Sequence, residues 1–162
     1  MPRRAPQMAT RSNIAYKTID GKIRSVYCHW DGYPEHNGKM LMDNYQDAAK
    51  IKALIELGSL SALREEVGEQ HPFDRDYTNP ELPLTDNWTL AYHRDRGEDL
   101  CIQEYDNIPD WIADMEEYAY LWDGQNWLVN DHGAKDSSGF PIFDFVETKM
   151  QPEVVKEIWG DQ

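Results

Sequence analysis

Cysteine is scarce in this chain. Cys28 and Cys101 are the only two among 162 residues, far apart and each beside apolar neighbours, which excludes a disulfide scaffold and predicts buried free thiols. No apolar run approaches the roughly 18 to 20 residues that cross a bilayer, and the start with Arg3 and Arg4 lacks the apolar segment of a signal peptide. These gaps predict a soluble, intracellular protein with no membrane partner. Positive charge is scarce too: 16 Lys and Arg face 30 Asp and Glu, for a formal net charge of -14. Such a surface repels nucleic acid and anionic membranes and favours basic partners. No HExxH or CxxC spacing, no phosphate-cradling glycine loop and no nucleophile elbow around Ser12, Ser25 or Cys28 is present, so neither a cofactor nor a metal is predicted.

What is there is aromatic. Six Trp and nine Tyr supply large buried area per residue, so a folded core is expected despite the polar composition. The length fits one domain. Residues 1–10, with two Pro and two Arg, read as a flexible basic arm, and residues 11–162 as a single α+β domain. The expected architecture is a mainly antiparallel sheet built from hairpins, with helices packed on one face.

Asp20-Gly21 between Ser12–Ile19 and Ile23–Trp30 is a strong hairpin signal, because that dipeptide accepts the positive φ angles of tight turns. Val26, Cys28 and Trp30 then share a core face, with Tyr27 and His29 opposite. Asp31–Gly38 reads as a loop, followed by a short helix from Lys39 and a second one capped by Asp47 and ended by Gly58. Ser61 is expected to open a short turn running to Val67. His71–Asp86 reads as an irregular connection. Trp88–Arg94 and Leu100–Tyr105 are expected to pair around Asp95-Arg96-Gly97, and Ile108–Tyr118 to form one amphipathic helix with Pro109 in its first turn. Tyr120–Trp122 and Asn126–Val129 read as a hairpin around Asp123-Gly124. A polar loop over Asp131–Gly139, a strand over Phe140–Val146 and a helix opened by Pro152 complete the chain.

Two stretches hold candidate functional residues. From Ser25 to Gly38 the chain places two His, two Tyr, a Trp and a Cys among acids, Gly and Pro. Tyr27, His29, Asp31, Tyr33 and His36 could line a small-molecule or peptide pocket, with His29 and His36 as acid and base for hydrolysis, or the loop could be purely structural. His29, Asp31 and His36 are also chemically reasonable metal ligands, but their spacing matches no zinc pattern.

The second stretch is acidic. Glu98 to Asp131 contains ten carboxylates and no Lys or Arg. Glu104, Asp106, Asp110, Asp114 and Glu117 form its centre, read either as a solvated face or as a docking surface for a basic protein. On one long helix, Asp110, Asp114 and Glu117 would line up about 4.5 to 6 Å apart along the axis, a spacing comparable to that of phosphates on a nucleic-acid strand.

The run Arg11-Ser12-Asn13-Ile14-Ala15, then Asp20-Gly21, Val26-Tyr27-Cys28-His29-Trp30-Asp31-Gly32-Tyr33-Pro34-Glu35-His36-Asn37-Gly38 and Leu54–Leu63 resembles a family of small uncharacterised proteins encoded by tailed bacteriophages and mobile elements. The likeness covers roughly residues 10–70. It implies an accessory protein in the cytoplasm of an infected bacterium and carries over no functional residue. In that setting an acidic protein without enzymatic motifs is expected to be an anti-defence or host-takeover inhibitor, occupying the basic groove of a nuclease or restriction complex.

Overall fold

The computed structural model describes residues 9–72 and 86–131. Strands β1 (Ser12–Lys17) and β2 (Ile23–Cys28) form the expected hairpin, in register from Ser12 opposite Cys28 to Lys17 opposite Ile23. Gly21 takes φ 86° in the turn, where a Cβ would be strained, and the Thr18 amide closes it by donating to the Lys22 carbonyl at 2.8 Å. A π-helical turn over Pro34–Gly38 leads directly into α1 (Lys39–Asn44). Helix α2 (Ala48–Ile55) is capped by Asp47, whose carboxylate accepts from the Lys50 amide at 3.1 Å.

From here pairing over long sequence distances takes over. Leu60–Ala62 is strand β3, parallel to β2, and not the start of a turn. Strand β4 (Leu90–Ala91) runs antiparallel to β3 and passes straight into α3 (Tyr92–Arg96). Strand β5 (Gln103–Tyr105) pairs with the first half of β2. The hairpin expected around Asp95-Arg96-Gly97 is therefore not formed: both of its arms found partners elsewhere. Helix α4 covers only Ile108–Ala113, because Tyr118–Trp122 is drawn into the sheet as β6, parallel to β1 and antiparallel to β7 (Trp127–Asp131).

The described residues form one α+β domain whose sheet runs β4-β3-β2-β1-β6-β7, with β5 beside β2. Antiparallel pairings predominate. Helices α1 and α2 pack on one face, where Leu41, Tyr45, Ile51, Leu54 and Ile55 meet Ile14, Val26, Cys28 and Tyr120. The alternate residues Ala15, Ile23, Ala119 and Leu121 form a smaller cluster on the opposite face with Trp111 and Ile112 of α4. Central strands β1 and β6 are thus buried on both sides, and β6 accordingly reads as a nearly unbroken apolar run, while β1 carries Ser12, Asn13 and Lys17 among its apolar residues. Burying a side chain such as Trp111 contributes about 2 to 3 kcal/mol. Its indole N–H also donates to Ser25 Oγ at 2.9 Å, as that of Trp127 donates to the Tyr45 carbonyl at 2.8 Å.

Two burial expectations are corrected. Trp30 lies beyond the end of β2 and is 40% exposed, and Cys101 is exposed while Cys28 is buried. Among the described residues no helix is long and apolar enough to cross a membrane. Residues 1–8, most of the His71–Asp86 connection (73–85), and residues 132–162, with the expected strand at Phe140 and helix at Pro152, lie outside the described residues.

Candidate functional site

The stretch after β2 is built by hydrogen bonds that point inward. Asp31 takes φ 58°, a left-handed conformation that Asp tolerates better than most residues, and so reverses the chain at the strand end. Gly32 then passes so close to the first strand that an added Cβ would lie 2.8 Å from Ser12 Cβ and 2.9 Å from the Thr10 carbonyl oxygen. Its amide donates to that carbonyl at 2.8 Å, and its own carbonyl accepts the buried Tyr120 hydroxyl at 2.6 Å.

Asn37 closes the loop from inside. Its side-chain amide, fully buried, reaches the Trp30 carbonyl at 3.3 Å, Ser12 Oγ at 3.4 Å and Cys28 Sγ at 3.5 Å. Burial pushes the Cys28 thiol up to about 11, with the Asn37 contact acting in the other direction, which favours the protonated thiol over the thiolate. Asn37 was not among the residues singled out in the sequence. The signal was an Asn inside a Gly/Pro-punctuated stretch, but its partners come from β1 and β2, which no local pattern names.

The five candidate ligand residues separate into two groups. Asp31, Tyr33 and His36 converge: the Tyr33 hydroxyl donates to Asp31 Oδ1 at 3.3 Å, and His36 Nε2 stands 4.0 Å from Asp31 Oδ2. His36 Nδ1 donates to Asn37 Oδ1 at 2.9 Å, which fixes the ring against the inner wall of the loop. Tyr27 and His29 make the other group, with the hydroxyl 2.5 Å from Nδ1 and the Trp30 ring edge-on to the imidazole at 4.7 Å. Burial raises the pKa of both Tyr27 and Tyr33, so each phenol stays neutral at ordinary pH. No set of three or more His, Cys, Asp and Glu side chains among the described residues is placed to hold a metal ion.

The acidic stretch is arranged differently from its sequence pattern. Helix α4 ends at Ala113, so Asp110 lies in the first turn of a short helix and Asp114 at its C-terminal cap, while Glu117 sits at the foot of β6, where its carboxylate accepts the Arg11 amide at 2.7 Å. The single helical row of Asp110, Asp114 and Glu117 is thereby overturned. Tyr118 and the residues after it gain ladder hydrogen bonds and a two-sided core by leaving the helix.

Each carboxylate has a different neighbourhood. Glu104 lies 3.5 Å from the Arg24 guanidinium and 4.0 Å from Lys22 Nζ, and Asp106 lies 3.8 Å from the same ammonium. Asp110 accepts from the amide side chain of Asn107, the residue that caps α4, at 3.2 Å. Asp114 accepts the Tyr105 hydroxyl at 2.5 Å; burial, then this carboxylate, raises the pKa of that phenol. Neither Asp110 nor Asp114 forms an ion pair among the described residues, and both are exposed. Asp99 and Asp123 share that property.

No protein-family model, no curated protein and no solved structure matches the chain.

Proposed function

We propose that the chain works by binding rather than by catalysis, as an acidic inhibitor that occupies the basic, nucleic-acid-facing groove of a host or defence protein such as a nuclease or restriction complex. The observation that carries this reading is the uncompensated charge around α4. Ten carboxylates follow one another from Glu98 to Asp131 without a Lys or Arg, and exposed Asp110 and Asp114 are held in place by the neutral donors of Asn107 and Tyr105 and not by a cation. Neutral donors fix a carboxylate without cancelling it, so the field stays outward for a cationic partner. Asp106 and Glu104 extend the patch at lower net charge because Lys22 and Arg24 share them. Glu117 borders it. The likeness of residues 10–70 to phage-encoded proteins supplies the setting, the cytoplasm of an infected bacterium.

Affinity capture from infected or defence-bearing cells, followed by salt titration of the recovered complex, tests the reading. The expected result is steep weakening as ionic strength rises, and loss of capture by an Asp110→Asn/Asp114→Asn double variant that melts like the parent. A partner held with equal affinity at low and high salt, or by the double variant, would falsify it.

A further inference from the structure

We propose that the face of the sheet that carries α4 also holds a pocket for one arginine side chain of the partner protein, formed around Tyr27 and Asp99. The pocket, of about 590 Å³, is lined by Tyr27, Ser59, Tyr92, Glu98, Asp99 and Cys101. It rests on the inhibitor reading for the identity of the partner; its chemistry stands on its own residues.

Strand alternation sets its position. Ala15 and its register partner Ser25 face Trp111 of α4, so Tyr27, two residues along β2, points to the same side, while Val26 and Cys28 face α1 and α2. Helix α4 covers Ala15, Ile23, Ala119 and Leu121, and Tyr27 stays half-buried beyond that cluster. The Tyr27 hydroxyl, 2.5 Å from His29 Nδ1, fixes the ring. Tyr92 adjoins it, anchored by its amide, which donates to the Ser59 carbonyl at 3.2 Å.

The chain already holds one guanidinium in this way. Arg96 lies over the Tyr92 ring, 5.3 Å from the centroid, and its Nη2 stands 2.5 Å from Glu98 Oε2. A planar cation shared by an aromatic face and a carboxylate suits guanidinium geometry. Tyr27 and Asp99 bring the same two components to the same pocket. Asp99 is exposed and forms no ion pair among the described residues, and no Lys or Arg is among the lining side chains. Arg11 and Glu116 act on Tyr27 with opposite sign, and neither lines the pocket.

Charge selects the occupant. Glu98 and Asp99 open the carboxylate-rich stretch, and a net charge of -14 favours a cation over an anion or a nucleic acid. Arginine suits the pocket better than lysine, because its flat, weakly hydrated head stacks on a ring while pairing with a carboxylate. Tyr and Arg are also the residue types in which interface binding energy concentrates.

The test is NMR titration of the full chain with N-acetyl-Gly-Arg-Gly amide, following the Tyr27 and Tyr92 ring signals, with the lysine and citrulline peptides as separate arms. Saturable shifts of the Tyr27 ring are expected, with lysine bound about threefold more weakly and neutral citrulline at least about tenfold more weakly. Asp99→Asn should weaken arginine binding by at least about threefold without changing the melt. Asp43→Asn, the same change of charge at an exposed carboxylate on α1, should leave it unchanged. An unmoved Tyr27 ring at tens of millimolar peptide, citrulline or lysine bound as tightly as arginine, or parental binding by Asp99→Asn overturns the proposal. Salt-sensitive capture of a partner by a chain that binds no arginine peptide would overturn this pocket alone and leave the inhibitor reading standing. Arginine binding at Tyr27 and Asp99 without any salt-sensitive partner would support the pocket and sink the inhibitor reading.

Discussion

The Asp31–Gly38 stretch and the α4 region carry the two most conspicuous runs of polar residues in the chain, and the fold uses them in opposite ways. In the first, backbone and side-chain polar groups turn inward: Gly32 is wedged against the first strand, Asn37 is buried, and Tyr120 reaches across from β6 to hold the loop. In the second, polar groups turn outward, and internal contacts fix carboxylates without neutralising Asp110 and Asp114. The lesson is that unusual composition marks constraint, and only the direction of the hydrogen bonds says whether that constraint serves the fold or a partner.

Mutational costs should separate the two regions. The largest effect is expected at Gly32→Ala, where the new methyl meets backbone on one side and Ser12 on the other; a loss of about 2 to 3 kcal/mol should appear as a lower urea midpoint with an unchanged slope. Asn37→Leu should cost about 2 kcal/mol by orphaning the Trp30 carbonyl and Ser12 hydroxyl. In the α4 region Asn107→Ala should cost only about 1 kcal/mol, since it removes one helix cap from a short element. If that variant proves as damaging as Gly32→Ala, the contrast between a structural loop and a presenting surface breaks.

The smallest effect concerns Glu56, whose hydrogen bond and charge pairing with Arg24 hold its carboxyl below the usual range. A carboxylate whose folded value is depressed contributes stability above its unfolded value, near 4.5, and loses that contribution as pH falls through the lower folded one. Arg24→Met should therefore flatten the acid limb of a stability profile below about pH 4.5. The change should shrink further in salt, because both partners are substantially exposed. A profile identical to the parent's would show that the pair contributes nothing to stability.

Local turn chemistry made the two terminal hairpins legible. Asp20-Gly21 and Asp123-Gly124 each specify a tight reversal, and each delivers one, with Gly124 at φ 108°. The Asp47 cap was readable for the same reason. The middle of the chain was not, because Leu60–Ala62, Leu90–Ala91 and Gln103–Tyr105 are too short to announce themselves and owe their strand state to partners far along the sequence. Helix α4 shows the competing pull directly: apolar spacing from Ile108 through Met115 continues to Ala119, yet the sheet claims everything from Tyr118. Convergence of Asp31, Tyr33 and His36 could be anticipated from proximity alone.

The parallel pairing of β1 with β6 sets a timetable for the ribosome. The opening strand becomes the middle of the sheet, flanked by β2 at once and by β6 only after about a hundred further residues have been made. Until then one margin of the nascent hairpin stays unzipped, with Ile14 and its neighbours awaiting cover. Completion comes late in synthesis and all together, and a truncation upstream of Tyr118 leaves behind a sticky half-sheet rather than a smaller stable protein.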